Sequence, residues 1–314
     1  MRIFEANTPT EMADKVYSAL KADGEMANSR NGRVLRFPEP ITTVYNHPAS
    51  RMNFIEGRDA NPFFHIAEAC WMLAGRKDVG YIAQFNKGMR NYSDNGIEFN
   101  AAYGHRMRRH SGFDQLKSVT HILSVDPDSR QAVIQLWDNK DLITHTLDKA
   151  CNMLLVFSLD NSYYLDLTVY NRSNDLIYGG VTGSNPVHFS YIQQWVADQL
   201  GRRMGTLTFV STNAHVYLDL YPHWKNMNWR NWELTNHEYH NMGPLHEIEA
   251  LCRDTYSRAT TKTYQSNFIE KVAKPVINTW IARRKGESYD CWLSEIDCPA
   301  TYRACSEWIL RREE

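Results

Sequence analysis

The chain reads as an α+β protein in which helices cover a sheet, and three observations carry that expectation. Residues 152–159 and 163–170 alternate apolar and polar positions on either side of the turn signal Asp160-Asn161, the mark of paired strands. Residues 187–200 place Phe189, Ile192, Val196 and Leu200 on one helical face and stop at Gly201. A further strand, 206–211, follows that helix directly.

The other elements follow in chain order. Thr8 and Glu11 start an amphipathic helix over 8–22. Short apolar runs cut by Gly32, Pro38, Pro40 and Pro48 make 32–58 a series of strands and turns. Pro62 opens a helix that reaches Leu73 and is stopped by Gly75. Its buried side holds Phe64, Ala67 and Trp71 with Glu68 among them, a carboxylate that is either partnered or functional. Residues 114–124 are predicted helical and 131–137 a strand. The segment 222–250, rich in Trp, Asn and His, is predicted to be an irregular insertion; 262–285 is predicted helical, and the last 30 residues carry no clear pattern. No internal repeat or low-complexity linker divides the chain.

A length of 314 residues suits one large domain or two small ones, and 43% apolar content with 9 Trp and 17 Tyr supplies the core. A net charge of -1 provides no global basic field for nucleic acid. Arg106, Arg108 and Arg109 are read as a solvated patch in preference to a small-anion site. The six cysteines lack metal-ligand spacing, so no metal is expected. Four of them lie beyond residue 250, where core thiols or a disulfide fit, core thiols being favoured. With no leader pattern and no run near the roughly 20 apolar residues a bilayer requires, a soluble protein of the reducing cytoplasm is expected.

The chemistry concentrates between residues 150 and 217. Cys151 lies at the head of a strand, twenty residues before Asn171-Arg172-Ser173-Asn174-Asp175. A fixed cation nearby would raise its thiolate fraction; otherwise Cys151 is a small buried hydrophobe. Arg130 closes the turn Asp126-Pro127-Asp128-Ser129, either simply solvated or gripping a phosphate together with Arg172 and Ser173. Asn185 is either the N-cap of the following helix or the reader of a pyrimidine edge. His215 and Tyr217, two apart on an extended segment, point to the same side and can hold a sugar hydroxyl.

These residues, in this order and spacing, resemble the thymidylate synthase and pyrimidine hydroxymethylase family over roughly residues 20–220. The matching pieces are Ser29 to Gly32, Glu68 to Trp71, Tyr103-Gly104, Asp126 to Arg130, Ala150-Cys151, Arg172 to Asp175 and His215 to Tyr217. The resemblance implies one domain over 1–314, divergent from the family after about 251, with a large mixed twisted sheet whose open face forms a homodimer interface. It implies a pyrimidine nucleoside monophosphate as substrate and 5,10-methylenetetrahydrofolate as cosubstrate, with neither nucleic acid nor membrane as partner. Cys151 would add to C6, with Glu68, Asn152 and Tyr103 completing the catalytic group. Arg30, Arg172 and Ser173 would hold the phosphate, with Arg130 reaching across from the other subunit. Asn185 would read the base, His215 and Tyr217 would bind the ribose hydroxyl, and Asp175 the pterin.

Three departures from the family pattern favour a hydroxymethylase. Asn152 stands where synthases carry histidine, with Lys149 and Gln131 also altered. Residues 84–95 contain no tryptophan to shield an exocyclic methylene from water, and the chain ends in the charged Arg311-Arg312-Glu313-Glu314. The expectation is therefore hydroxymethylation at C5, with dUMP favoured over dCMP or CMP. A thymidylate synthase and a non-catalytic nucleotide-binding regulator are the alternatives. A phage enzyme acting in its host's cytoplasm and a bacterial one both fit.

Overall fold

Two sheets arise because neighbouring strands break at the same level. The computed structural model describes residues 1–55, 57–227 and 239–313. Among these, six strands form one sheet in the order β1 (Arg2–Ala6), β4 (Ile41–Tyr45), β9 (Met204–Ser211), β7 (Leu165–Asn171), β6 (Asn152–Leu159), β5 (Val133–Gln135). The β1–β4 and β7–β9 pairs are parallel and the others antiparallel, so the sheet is mixed. A second sheet runs β2 (Glu25–Ser29), β3 (Gly32–Arg36), β10 (Ala214–Tyr217), β8 (Asn174–Asp175). The parallel neighbours β7 and β9 both end and resume three residues later as β8 and β10, themselves parallel. Arg172, Ser173, Thr212 and Asn213 occupy this junction, where Thr212 Oγ1 and Asn213 Nδ2 both donate to the Arg172 carbonyl.

The period-2 alternation decides the faces. Leu155, Phe157, Leu167, Val169, Leu207 and Phe209 are buried on one face. The opposite face leaves Val133 and Tyr170 exposed and Leu154, Val156, Thr168 and Val210 half-buried. Helices α1 (Pro9–Asp23) and α6 (Asn185–Leu200) pack on the buried side. Thr8 Oγ1 caps α1 by accepting from Glu11 N, and Gly201, at φ 62°, ends α6.

At the centre lies α2 (Pro62–Leu73), buried at every position except Glu68. It packs against α6, α7 (Leu245–Asp254), α8 (Lys274–Lys285) and α10 (Pro299–Leu310), and Phe63 meets the rings of Trp280 and Trp308. The short helices α3 (Val79–Ile82), α4 (Tyr103–His105) and α9 (Asp290–Ser294), with α5 (Gln115–Val125), complete the set. A helix apolar all round is a core helix, and a single carboxylate on it is an expensive exception.

Several expectations need correction. Strands β1 and β2 were not foreseen, since the adjacent apolar pair Ile3-Phe4 of β1 does not alternate and β2 is almost wholly exposed. The strand at 131–137 shrinks to β5 at the sheet edge. Within the supposed insertion 222–250, Leu245 onward is helical, with Leu245, Ile248, Leu251 and Cys252 facing the core; 228–238 lie outside the described residues. Residues 262–266 are irregular because Glu247 accepts from the N–H groups of Gln265 and Ser266, and the helix begins only after them. The C-terminal stretch forms α9 and α10, and of the charged tail Arg311 and Arg312 pair with Asp59, while Glu314 lies outside the described residues.

The arginines of residues 106–109 are not a solvated patch. Arg106 is buried against Asp141 (2.8 Å), and Arg108 against Asp114 (2.8 Å) and Glu249 (2.7 Å), leaving Arg109 exposed. All six cysteines are free thiols, with Cys70, Cys252, Cys298 and Cys305 buried. Among the described residues no helix is long and apolar enough to cross a membrane, and no His, Cys, Asp and Glu cluster suits a metal ion.

Candidate active site

Cys151 heads β6 beside the junction of the two sheets. Its N–H donates to the Tyr103 hydroxyl (3.0 Å), as does that of Asn152 (3.3 Å). Tyr103 gets there because Gly104 lies against α2, where a Cβ would come within 2.1 Å of the Met72 carbonyl oxygen. Arg172 donates through Nε to the Ala150 carbonyl (2.8 Å) and lies over the Trp137 ring, which brings its Nη2 to 3.9 Å from Cys151 Sγ. Burial raises the thiol above its ordinary value, while Arg172 and Arg30 pull the other way without prevailing. The guanidinium therefore lessens the effect of burial on the thiol without cancelling it.

The other predicted residues divide by where they gather. Arg30, on the β2–β3 turn, donates to the Leu147 carbonyl (3.1 Å) and bears on Cys151. Ser173 sits in the junction, half-buried. Asp175 on β8 lies opposite His215 on β10, and burial raises its carboxyl despite the hydrogen bond from Ile177 N (3.0 Å). His215 Nδ1 stands 3.0 Å from the Asn213 carbonyl, which can only accept, so that nitrogen carries the proton. Its Nε2 is a buried acceptor with no hydrogen-bond partner among the described residues, and the ring meets Tyr217 edge-on at 4.7 Å.

Two residues do not gather there. Arg130 is exposed on the turn between α5 and β5, with no hydrogen bond or ion pair among the described residues. Asn152 faces inward and accepts from Asn171 Nδ2, and Asn171 in turn accepts from Ser211 Oγ (3.2 Å). Its amide therefore braces β6 against β7. Asn185 is the first residue of α6 rather than its N-cap, a position that Ser184 takes without a side-chain bond. The Asn185 amide makes no hydrogen bond among the described residues, which leaves both its donor and its acceptor available.

Glu68 opens onto a cavity of about 420 Å3 that Tyr103, Asp148, Ser184 and Trp71 also line. Between residues 86 and 92 its wall is made by Asn86, Gly88, Met89, Asn91 and Tyr92, so the tryptophan present comes from α2. Burial pushes the Glu68 carboxyl up to about 8, and no charged group opposes it. Two groups at this site escaped the sequence reading. Asp148 accepts from Ala101 N (2.7 Å), and His188 reaches within 3.2 Å of Glu68. The spacing of Ser184, Asn185 and His188 within one turn of α6 was the available signal.

The family model described as thymidylate synthase matches residues 16–265, and the chain belongs to that family. More particularly, it is 44% identical over 218 residues to a deoxyuridylate hydroxymethyltransferase of Pseudomonas phage M6, covering 69% of this chain and 62% of that one. A protein of the same description from Bacillus phage SP01 is 39% identical over 235 residues, covering 70% and 60%. The chain thus spans about three fifths of the length of these relatives. The crystal structure of thymidylate synthase from T4 phage superposes with a TM-score of 0.58 at 20% identity, covering 76% of this chain and 86% of that one, a likeness of fold.

Proposed function

We propose that this chain hydroxymethylates C5 of dUMP, with 5,10-methylenetetrahydrofolate as cosubstrate. The observation that carries this reading is the position of Tyr103, which accepts from the N–H of Cys151, itself beside a guanidinium, and lines a cavity that holds an unopposed buried carboxylate and no tryptophan in its 86–92 wall. The phage relatives described as deoxyuridylate hydroxymethyltransferases support it.

Cys151 Sγ adds to C6 of the base, making C5 a carbon nucleophile. Arg172, Arg30 and Ser173 bind the phosphate. His215 Nε2, the unpartnered acceptor, takes the hydrogen bond of the ribose 3' hydroxyl beside Tyr217. Asn185, free of protein partners, presents its NH2 to O4 and its oxygen to N3–H, which suits uracil. The folate supplies the one-carbon unit when bound. The apolar surfaces of Phe64, Trp71 and Met89 suit its flat ring, and Asp175, outside that lining on β8, is the polar ligand the family resemblance implies. Glu68 then takes a proton from water as the water adds to the exocyclic methylene.

Two copies join through the open face of the six-stranded sheet, where Val133, Tyr170 and their half-buried neighbours await cover. Arg130, unpartnered in its own subunit, reaches the other copy's phosphate. Mass spectrometry of the nucleotide product tests the reading. Hydroxymethyl transfer adds about 30 mass units, whereas a gain of about 14 would make the chain a thymidylate synthase because water is excluded.

A further inference from the structure

Behind Glu68 stands a buried group with no part in the scheme above. His188, on α6, is 3% exposed, and its Nε2 lies 3.2 Å from Glu68 Oε2. Both atoms are fully buried, they are not aligned for a hydrogen bond with each other, and neither has another hydrogen-bond partner among the described residues. Polar atoms left facing one another at that depth are natural partners in some state of the site. The other side of Glu68 lines the cavity.

We propose that His188 is the positioning residue for Glu68: its Nε2–H turns onto Oε2 and holds the carboxylate, ionised, with its other oxygen toward water in the cavity. This rests on the reading of Glu68 as the base for hydration. A carboxyl pushed up to about 8 by burial is mostly protonated at neutral pH and is a poor base there. A donor on Oε2 favours the charged form, and His188 is the one in reach among the described residues.

The other groups facing the pair do not substitute for it. On α2, His65 stands edge-on to His188, at 6.1 Å between centroids, and both rings are held neutral by burial. Arg58, in the loop before α2, bears on His65. On α6, Tyr191 is turned to the Arg51 guanidinium, 3.7 Å over its ring. Tyr103 and Asp148 also line the cavity, and burial keeps both toward their neutral forms.

The step it serves balances. The water oxygen bonds to the methylene carbon attached at C5, and its proton passes to Glu68. The methylene π electrons move onto C5 and O4 as an enolate. They return to form C5=C6 as the C6–S bond breaks, releasing Cys151 as thiolate.

The test compares pH profiles of hydroxymethyl formation for the wild type, H188L, H188Q and H188N between about pH 6 and 9. In H188L the acidic limb is expected to move up by about one pH unit or more, with activity at neutral pH lowered roughly tenfold and recovered in base. H188Q, whose amide N–H reaches as far as Nε2, keeps the wild-type limb. H188N, one carbon too short, shifts like H188L and replaces it should H188L fail to fold. A uniform loss with an unmoved limb would overturn the proposal. E68Q separates the two readings. Retained product formation in E68Q sinks Glu68 as the base, whereas an inactive E68Q alongside an unmoved H188L limb sinks only the role of His188.

Discussion

The junction between the sheets and the seam between α2 and α6 both bury reactive groups, and they meet that burial differently. At the junction, Cys151 has a cation 3.9 Å from its sulfur and a second arginine bearing on it. At the seam, burial acts on Glu68 with no charged group among the described residues set against it. The first arrangement suits holding an anion and lowering the cost of a thiolate. The second suits a group that passes between neutral and charged forms during a cycle. Environment, more than residue type, separates a binder and nucleophile from an acid and base.

The largest break in that comparison is at the nucleophile. C151A should lose at least about 10⁴-fold in hydroxymethyl formation, since the addition that activates C5 has no substitute. It should still bind dUMP by calorimetry, because the arginines and His215 remain. Loss of binding together with activity would mean that the junction is held together by the thiol.

Next comes the seam. E68Q should lower turnover roughly 10²- to 10³-fold, within the range for a lost general base. It should also stabilise the fold in base. With His188 not bonded to it, as in this structure, burial pushes the Glu68 carboxyl up to about 8 against 4.5 when unfolded, so between those values the unfolded chain binds fewer protons and the stability of that resting state falls as pH rises. By pH 8.5 the wild type forgoes on the order of 4 kcal/mol that E68Q retains. The melting temperatures of the two proteins should therefore diverge from pH 5 upward. His65, pushed down to about 3, acts on the opposite side: its contribution is whole above about 6.5 and is lost as pH falls toward 3. Parallel melting curves would show that Glu68 is better solvated than its surroundings imply.

How much of this was legible beforehand differs between the same two regions. The junction residues cluster in sequence, and the alternation of β6 and β7 with the Asp160-Asn161 turn defined the strands that carry them. The ends of α2 were equally plain from Pro62 and Gly75. The seam was not legible, because His188 meets Glu68 only through the packing of two helices that are 120 positions apart in the chain. Arg106 failed for the same reason, its carboxylate Asp141 being 35 residues away. The Asn152 amide was assigned to catalysis from its neighbour, whereas strand pairing turned it toward Asn171. Local pattern reports elements; partners of long separation are settled by packing.

Asn185 is the first residue of α6, the helix that also carries His188 of the seam. N185D should shift preference from dUMP toward dCMP by about ten- to a hundredfold in kcat/KM, since a carboxylate accepts from the cytosine amino group and repels O4. An acidic residue in the first turn of a helix favours the fold, so stability should hold. An unchanged base preference would move the reading of the base to another residue.

The smallest effect probes the junction's own electrostatics. R172A removes the cation that holds the Cys151 thiol down against burial, so the thiolate fraction at neutral pH falls. The remaining thiolate is a stronger nucleophile, and the two changes partly cancel. Exchange with a small disulfide should therefore slow by only about threefold. R172K keeps the charge but lacks the forked geometry that lets Arg172 reach the Ala150 carbonyl and the sulfur together, so it should fall between. If R172A exchanged faster than the wild type, access to the sulfur rather than its charge would be what Arg172 controls. The contrast between a thiol held by charge and a carboxyl governed by burial would then fail at its first member.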